Sequence, residues 1–181
     1  MSDAEVENLV RLATRAPTAY NLQNWRFIAV RSSEAKARLH PNAWHQAKIR
    51  DAAVTFIICG VMPDAATLPE RLQPSVEAGF MPSDMPAQWQ VAARPQYTDP
   101  QFARDEAVRS ATFGAATLIF AAEASGFVSC PMGGFDPEAV TQTFGLRSNE
   151  VPVVLVAVGH AASGNWPQKP RRPLAEVMEI A

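Results

Sequence analysis

Four dispersed groups of residues could do chemistry together. The segment Ala16-Pro17-Thr18-Ala19-Tyr20-Asn21-Leu22-Gln23-Asn24-Trp25 is dense in side-chain amides and hydroxyls. Lys48 supplies a cation, Cys130-Pro131-Met132-Gly133-Gly134-Phe135-Asp136-Pro137 carries a double glycine, and Lys169, Arg171 and Arg172 alternate with prolines near the end. Amides and hydroxyls can hydrogen-bond the edge of a heterocycle, and lysine or arginine can neutralise a phosphate. Glycine lets the main chain touch a flat partner and adopt φ > 0, at about 0.5–1 kcal/mol relative to alanine in regular structure. Together the four groups suit a planar heterocycle with a polar edge and a terminal phosphate. Each also has a plainer reading: the polar groups of 16–25 could satisfy their own backbone, and the glycine pair could be a helix C-cap followed by an N-cap at Asp136.

Other chemistries find no support. There is no GxSxG nucleophile elbow, and neither Cys59 nor Cys130 has an adjacent histidine to activate it. His40 and His45 are separated by a span containing Pro41, poor spacing for one helical face, and His160 is isolated, so no metal site is expected. Gly133-Gly134 is followed neither by the third glycine of a dinucleotide fingerprint nor by Gly-Lys-Ser/Thr.

Composition narrows the partners. The 181 residues fit one domain with a real core, and 16 Lys plus Arg against 18 Asp plus Glu give a net charge of −2, without the basic surplus of a nucleic-acid binder. Two cysteines in apolar settings, with no CxxC, argue for reduced thiols in a cytoplasmic protein. The acidic start is unlike a signal peptide, and Ser110 to Ala122 is too short to cross a bilayer, so no membrane partner is expected.

The elements that must position the four groups follow from periodicity. Ser2 and Glu5 fit a capping box opening an amphipathic helix over 3–15, which Pro17 ends. Phe27 to Val30 is a strand; Ser33 to Leu39 and Trp44 to Arg50 are short helices. Val54 to Gly60 and Val151 to Gly159 are apolar runs suited to central strands. Residues 61–98, rich in proline, form an irregular excursion with one or two short helices. Asp99 to Ser125 is the longest helix, apolar on every side from Ala111 to Ala122, so it should be buried all round, against a second subunit or as the central helix of a monomer. A helix from Asp136 to Phe144 stops at Gly145, and a short helix starts at Leu174. Strands interleaved with helices indicate α/β or α+β.

At this point the residues resemble a known family. The segment from Ala16 to Trp25 is similar to the A-P-S-x-x-N-x-Q-P-W segment of the nitroreductase family, and Cys130 to Asp136 resembles its second signature. The strand ending Val156-Ala157-Val158-Gly159-His160 and the tail Lys169-Pro170-Arg171-Arg172-Pro173 are similar too. The likeness spans nearly the whole of 1–181. Arg109 before the apolar part of the long helix, with Pro131 to Asp136 after it, is also similar to the branch that includes malonic semialdehyde reductases.

The resemblance implies an α+β three-layer sandwich, a mostly antiparallel sheet flanked by helices, in an intertwined homodimer with two FMN sites between subunits. Pro17, Thr18, Ala19, Asn21 and Gln23 would contact flavin or ribityl from one subunit, and Lys48 would sit near the pyrimidine edge. Pro131, Met132, Gly133 and Gly134 would line the ring, with an N–H directed at N5, while Lys169 and Arg171 would hold the phosphate. The implied activity is hydride transfer from NADH or NADPH through flavin N5 to a nitroaromatic, quinone or activated carbonyl, with no obligatory acid or base. Lys48 and the Gly134 N–H would stabilise reduced flavin. A flavin-binding or flavin-sequestering protein with little turnover is the alternative. Three departures stand out: no Arg-Arg-Ser-x-Arg segment precedes the amide loop, leaving Arg11, Arg15 or Arg172 as substitutes, Asn24 replaces a proline, and His45 replaces an asparagine that faces the flavin.

Overall fold

Ser2 opens the first helix through a reciprocal pair of bonds: its hydroxyl accepts from the Glu5 N–H at 3.2 Å, and its own N–H donates to the Glu5 carboxylate at 2.6 Å. The structure, a computed structural model, describes residues 1–181. Helix α1 (Asp3–Ala13) leads through the amide loop into β1 (Trp25–Val30). Then follow α2 (Ser33–Asn42), α3 (Ala47–Asp51) and β2 (Val54–Val61). The proline-rich excursion folds as α4 (Leu68–Glu77) and α5 (Met85–Thr98). After it come α6 (Pro100–Ala124), β3 (Val128–Met132), α7 (Pro137–Phe144) and β4 (Glu150–Gly159). Both α6 and α7 begin at an Asp-Pro pair: Asp99 and Asp136 cap free N–H groups, and the proline occupies a first-turn position that needs no donor.

The four strands form one antiparallel sheet in the order β1-β2-β4-β3. Strand alternation sends successive side chains to opposite faces. Val54, Phe56 and Ile58 of β2 therefore join Val6 and Leu9 of α1 and Ala111, Ala115 and Leu118 of α6 in one core. Ile57 and Cys59 pack with Leu39, Ile49 and Val140 of α2, α3 and α7 in the other. The result is the expected α+β sandwich, two helical layers around a central sheet. A register shift between Ile58 and Cys59, opposite Val154 and Pro152, accommodates a proline that cannot donate to the ladder.

Gly60 sets the approach of α6 to the sheet. A Cβ there would lie 2.2 Å from the Ala107 carbonyl oxygen, so only glycine lets the helix backbone come this close to β2.

Three expectations change. Cys130, Pro131 and Met132 belong to β3, paired with Ala157, Val156 and Leu155, so the glycine loop follows a strand and not the long helix. The helix after Trp44 starts only at Ala47, because Trp44 and His45 adopt φ of 51° and 55°. Helix α6 is not buried all round: Phe113 and Phe120 are 48% and 73% exposed, since a single chain covers only the face turned to the sheet. No helix is long and apolar enough to cross a membrane.

Candidate flavin-site halves on two sheet edges

The amide loop is strained and clamped. Tyr20, Asn21 and Gln23 have φ of 51°, 52° and 48°, a left-handed backbone costing about 1–2 kcal/mol per non-glycine residue. Strain of this kind persists where surrounding structure over-determines it. Here the Thr18 hydroxyl accepts from the Gln23 N–H at 2.9 Å. Leu22 is buried with Ala65, Leu68, Leu72 and Ala93, Arg71 donates to the Leu22 carbonyl, and the Tyr20 ring stands edge-on to Trp89 and Tyr97 at 5.6 and 6.3 Å. The excursion, whose path the sequence did not specify, is thus the buttress of this loop. Asn24, at the position where a proline was expected, is 4% exposed. Its side-chain N–H donates to the Val61 carbonyl at 2.9 Å, and the Val61 N–H donates back to the Asn24 carbonyl at 2.8 Å.

The glycine loop is built differently from expectation. Neither Gly133 nor Gly134 has a positive φ, so no left-handed backbone calls for either, and only Gly134 answers a need for space within the chain. A Cβ on Gly134 would lie 3.0 Å from the Trp44 ring, whereas one on Gly133 would meet nothing within 4 Å. Gln46 donates to the Gly134 carbonyl at 2.7 Å, and the Asp136 N–H donates to the Asn42 carbonyl at 2.8 Å. The Gly134 N–H has no acceptor within the chain. Trp44, Gln46 and Asn42 were not singled out from the sequence, where only their nearness to Lys48 marks them.

Lys48 is exposed on α3, two residues beyond Gln46, with no carboxylate within 4 Å. The tail from His160 to Ala181 is exposed throughout, so a single chain does not bring Lys169 and Arg171 to the glycine loop. Arg171 donates to the Lys169 carbonyl, and Lys169 lies over Trp166; neither has an acidic partner. Arg172 is held by Glu176 at 3.0 Å. Cys59 is buried, and desolvation first, then the Glu150 carboxylate, pushes its thiol up to about 12 against the opposing charge of Arg26. A thiol with so little thiolate is a core residue and not a nucleophile.

Topology separates the two best-built groups. The amide loop enters β1 and the glycine loop leaves β3, the two outer strands, with β2 and β4 between them. Three strand spacings amount to about 14 Å. A cavity beside α5, lined by Pro63, Asp64, Arg94 and Tyr97 among others, contains none of the expected site residues.

A sandwich of this topology, with a strained polar loop on one edge and an open glycine loop on the other, matches a known class of flavoenzyme fold. The nitroreductase family model matches residues 1–160, and the chain belongs to that family, a family of oxidoreductases. It is 33% identical to the "Putative NAD(P)H nitroreductase YodC" of Bacillus subtilis, over 98% of this chain and 87% of that one. It is also 33% identical to a protein of Thermus thermophilus named NADH dehydrogenase, over 96% and 83%. The crystal structure of a "putative nitroreductase in complex with FMN" from Exiguobacterium sibiricum superposes with a TM-score of 0.90 at 26% identity, covering 100% of this chain and 88% of the other.

Proposed function

We propose that this protein is an FMN-dependent NAD(P)H oxidoreductase acting as a homodimer, with each flavin held between the glycine loop of one chain and the amide loop of its partner. The observation that carries this reading is the Gly134 N–H, without an acceptor, beside the open face of Gly133. Family membership and the FMN complex of a relative of the same fold support it. The donor set fits the cofactor: uncapped N–H, hydroxyl and amide groups for a polar-edged ring, and cations free of carboxylates for charge and phosphate.

Bound FMN would supply hydride chemistry between NADH or NADPH and an electron-poor nitroaromatic, quinone or activated carbonyl. The chain's own residues position and stabilise. Gly133 and Gly134, following Pro131 and Met132 at the end of β3, would lie against the ring, the Gly134 N–H serving as the donor to N5. Lys48 would place positive charge where reduction adds negative charge, a preorganised electrostatic role. Pro17, Thr18, Ala19, Asn21 and Gln23 of the partner would line the other side, and Lys169 and Arg171 would hold the phosphate. Exposed Phe113 and Phe120 on α6 supply the apolar surface of the subunit contact.

The purified protein is expected to bind FMN, show the yellow oxidised spectrum and bleach rapidly on anaerobic addition of NADH or NADPH. Lys48→Met should slow that bleaching in single turnover. Yellow protein that stays yellow with both donors indicates flavin storage, and protein that binds no FMN overturns the reading.

A further inference from the structure

Arg50, His40 and His45 form a chain of nitrogens beside the glycine loop. The Arg50 Nε–H donates to His40 Nε2 at 3.1 Å, and His40 Nδ1 lies 3.3 Å from His45 Nδ1. A guanidinium nitrogen only donates, so His40 Nε2 is bare. A neutral imidazole carries one proton, and His40 must hold it on Nδ1. The His40 Nδ1–H therefore donates to His45 Nδ1. Neutral His45, bare at Nδ1, then carries its proton on Nε2, the nitrogen turned away from His40. The two rings meet edge-on, with centroids 4.9 Å apart.

The backbone keeps the pair in register. The His45 N–H donates to the His40 carbonyl at 3.0 Å, and the left-handed Trp44-His45 turn delivers Trp44 to Gly134 and Gln46 to its carbonyl. His40 is 8% exposed, whereas His45 is exposed. The charged and titratable groups that act on His40 are Arg50 and Asp51 of α3 and His45 of the turn; burial, Arg50 and the His45 ring oppose a second proton, and the His45 backbone and Asp51 favour it.

We propose that this relay fixes His45 as a neutral Nε2–H donor at the rim of the glycine-loop site, where it binds the carbonyl edge of the flavin, with Arg50 and His40 acting through it as positioning residues. The inference rests on the flavin reading and adds to it a tautomer set from outside the site. A donor already oriented strengthens as negative charge develops on that edge.

Two measurements on the full chain test it. Two-bond nitrogen–proton correlation spectra without flavin should show His40 protonated at Nδ1 and His45 at Nε2 near neutral pH; His45 protonated at Nδ1 overturns the relay. In the presence of FMN, the His45 Nε2 resonance should move. His45→Leu should lower the preference for reduced over oxidised flavin about tenfold, a drop of about 30 mV in the two-electron potential. His45→Gln, which retains a side-chain N–H donor, should restore most of it, and Arg50→Met should mix the His45 tautomers and shift the potential in the same direction as His45→Leu. Bound flavin with His45 and the potential unmoved overturns this inference and leaves the flavin reading standing. Failure to bind FMN overturns both.

Discussion

The side-chain amide of Gln46 donates to the carbonyl oxygen of Gly134 at 2.7 Å, joining residues 88 positions apart. This bond holds the glycine loop in place from the start of α3, with Trp44 packed on the same glycine. Gln46→Ala removes one net hydrogen bond, about 1 kcal/mol, and leaves a part-buried carbonyl without its partner. The melting temperature should fall by about 2–4 °C. FMN affinity should weaken about fivefold, readable by fluorescence titration.

Glycines in the sheet and in the loop that leaves it differ in what they permit, and alanine separates them. Gly60→Ala drives a Cβ against the Ala107 backbone, which moves only if α6 shifts, so the loss should reach about 3 kcal/mol or prevent folding. Gly133→Ala meets nothing and should stay within about 0.5 kcal/mol of wild type without flavin. Its defect should appear in FMN binding, so thermal unfolding and flavin titration give opposite rankings for the two variants.

Phe120 is 73% exposed on the outer face of α6, beside half-exposed Phe113. Phe120→Glu places a charge in the proposed subunit contact and should convert a dimer to a monomer in light scattering. A wild-type chain that is already monomeric and carries flavin would remove the shared-site arrangement.

His40 makes stability depend on pH with a definite sign. Burial first, then Arg50 and His45, hold its pKa below the ordinary value of 6.5. The folded chain binds fewer protons at this group than the unfolded chain, so unfolding free energy rises with pH across the interval between the two values. Above about 6.5 the group costs nothing. Stability is lost as pH falls below that value and levels off beneath the folded pKa. His40→Asn should flatten this step in denaturant titrations repeated across the interval.

The layers were legible in the sequence because they rest on local signals. The Ser2 and Glu5 box, the β-branched run from Val54, and the caps at Asp99 and Asp136 each specify an element through contacts a few residues apart. Strand β3 was missed because a proline interrupts it and two glycines follow, both strand-breaking by propensity; pairing with β4 overrides them. The left-handed Trp44-His45 turn was missed for a similar reason. Tryptophan rarely adopts φ > 0 and histidine does so only somewhat more often, and here the conformation is held by tertiary partners at Gly134 and His40. Pro17, Thr18, Ala19, Asn21, Gln23, Gly133 and Gly134 were singled out from their types and from the family resemblance, but the placement of their two loops on opposite sheet edges is a property of strand order, which no local pattern encodes.

The proposed arrangement, which joins loops on opposite edges of the sheet, makes the site a shared possession of two chains, and subunit mixing can test it without a crystal. A chain damaged only at Asn21 and a chain damaged only at Gly133 should each form dimers with two broken sites. Unfolded together and refolded as a mixture, they should yield hybrid dimers in which one site collects both lesions and the other collects none. Flavin should return to the mixture although neither parent holds it, whereas the same pair of lesions placed on one chain and mixed with wild type should leave each hybrid with no working site, one lesion falling in each.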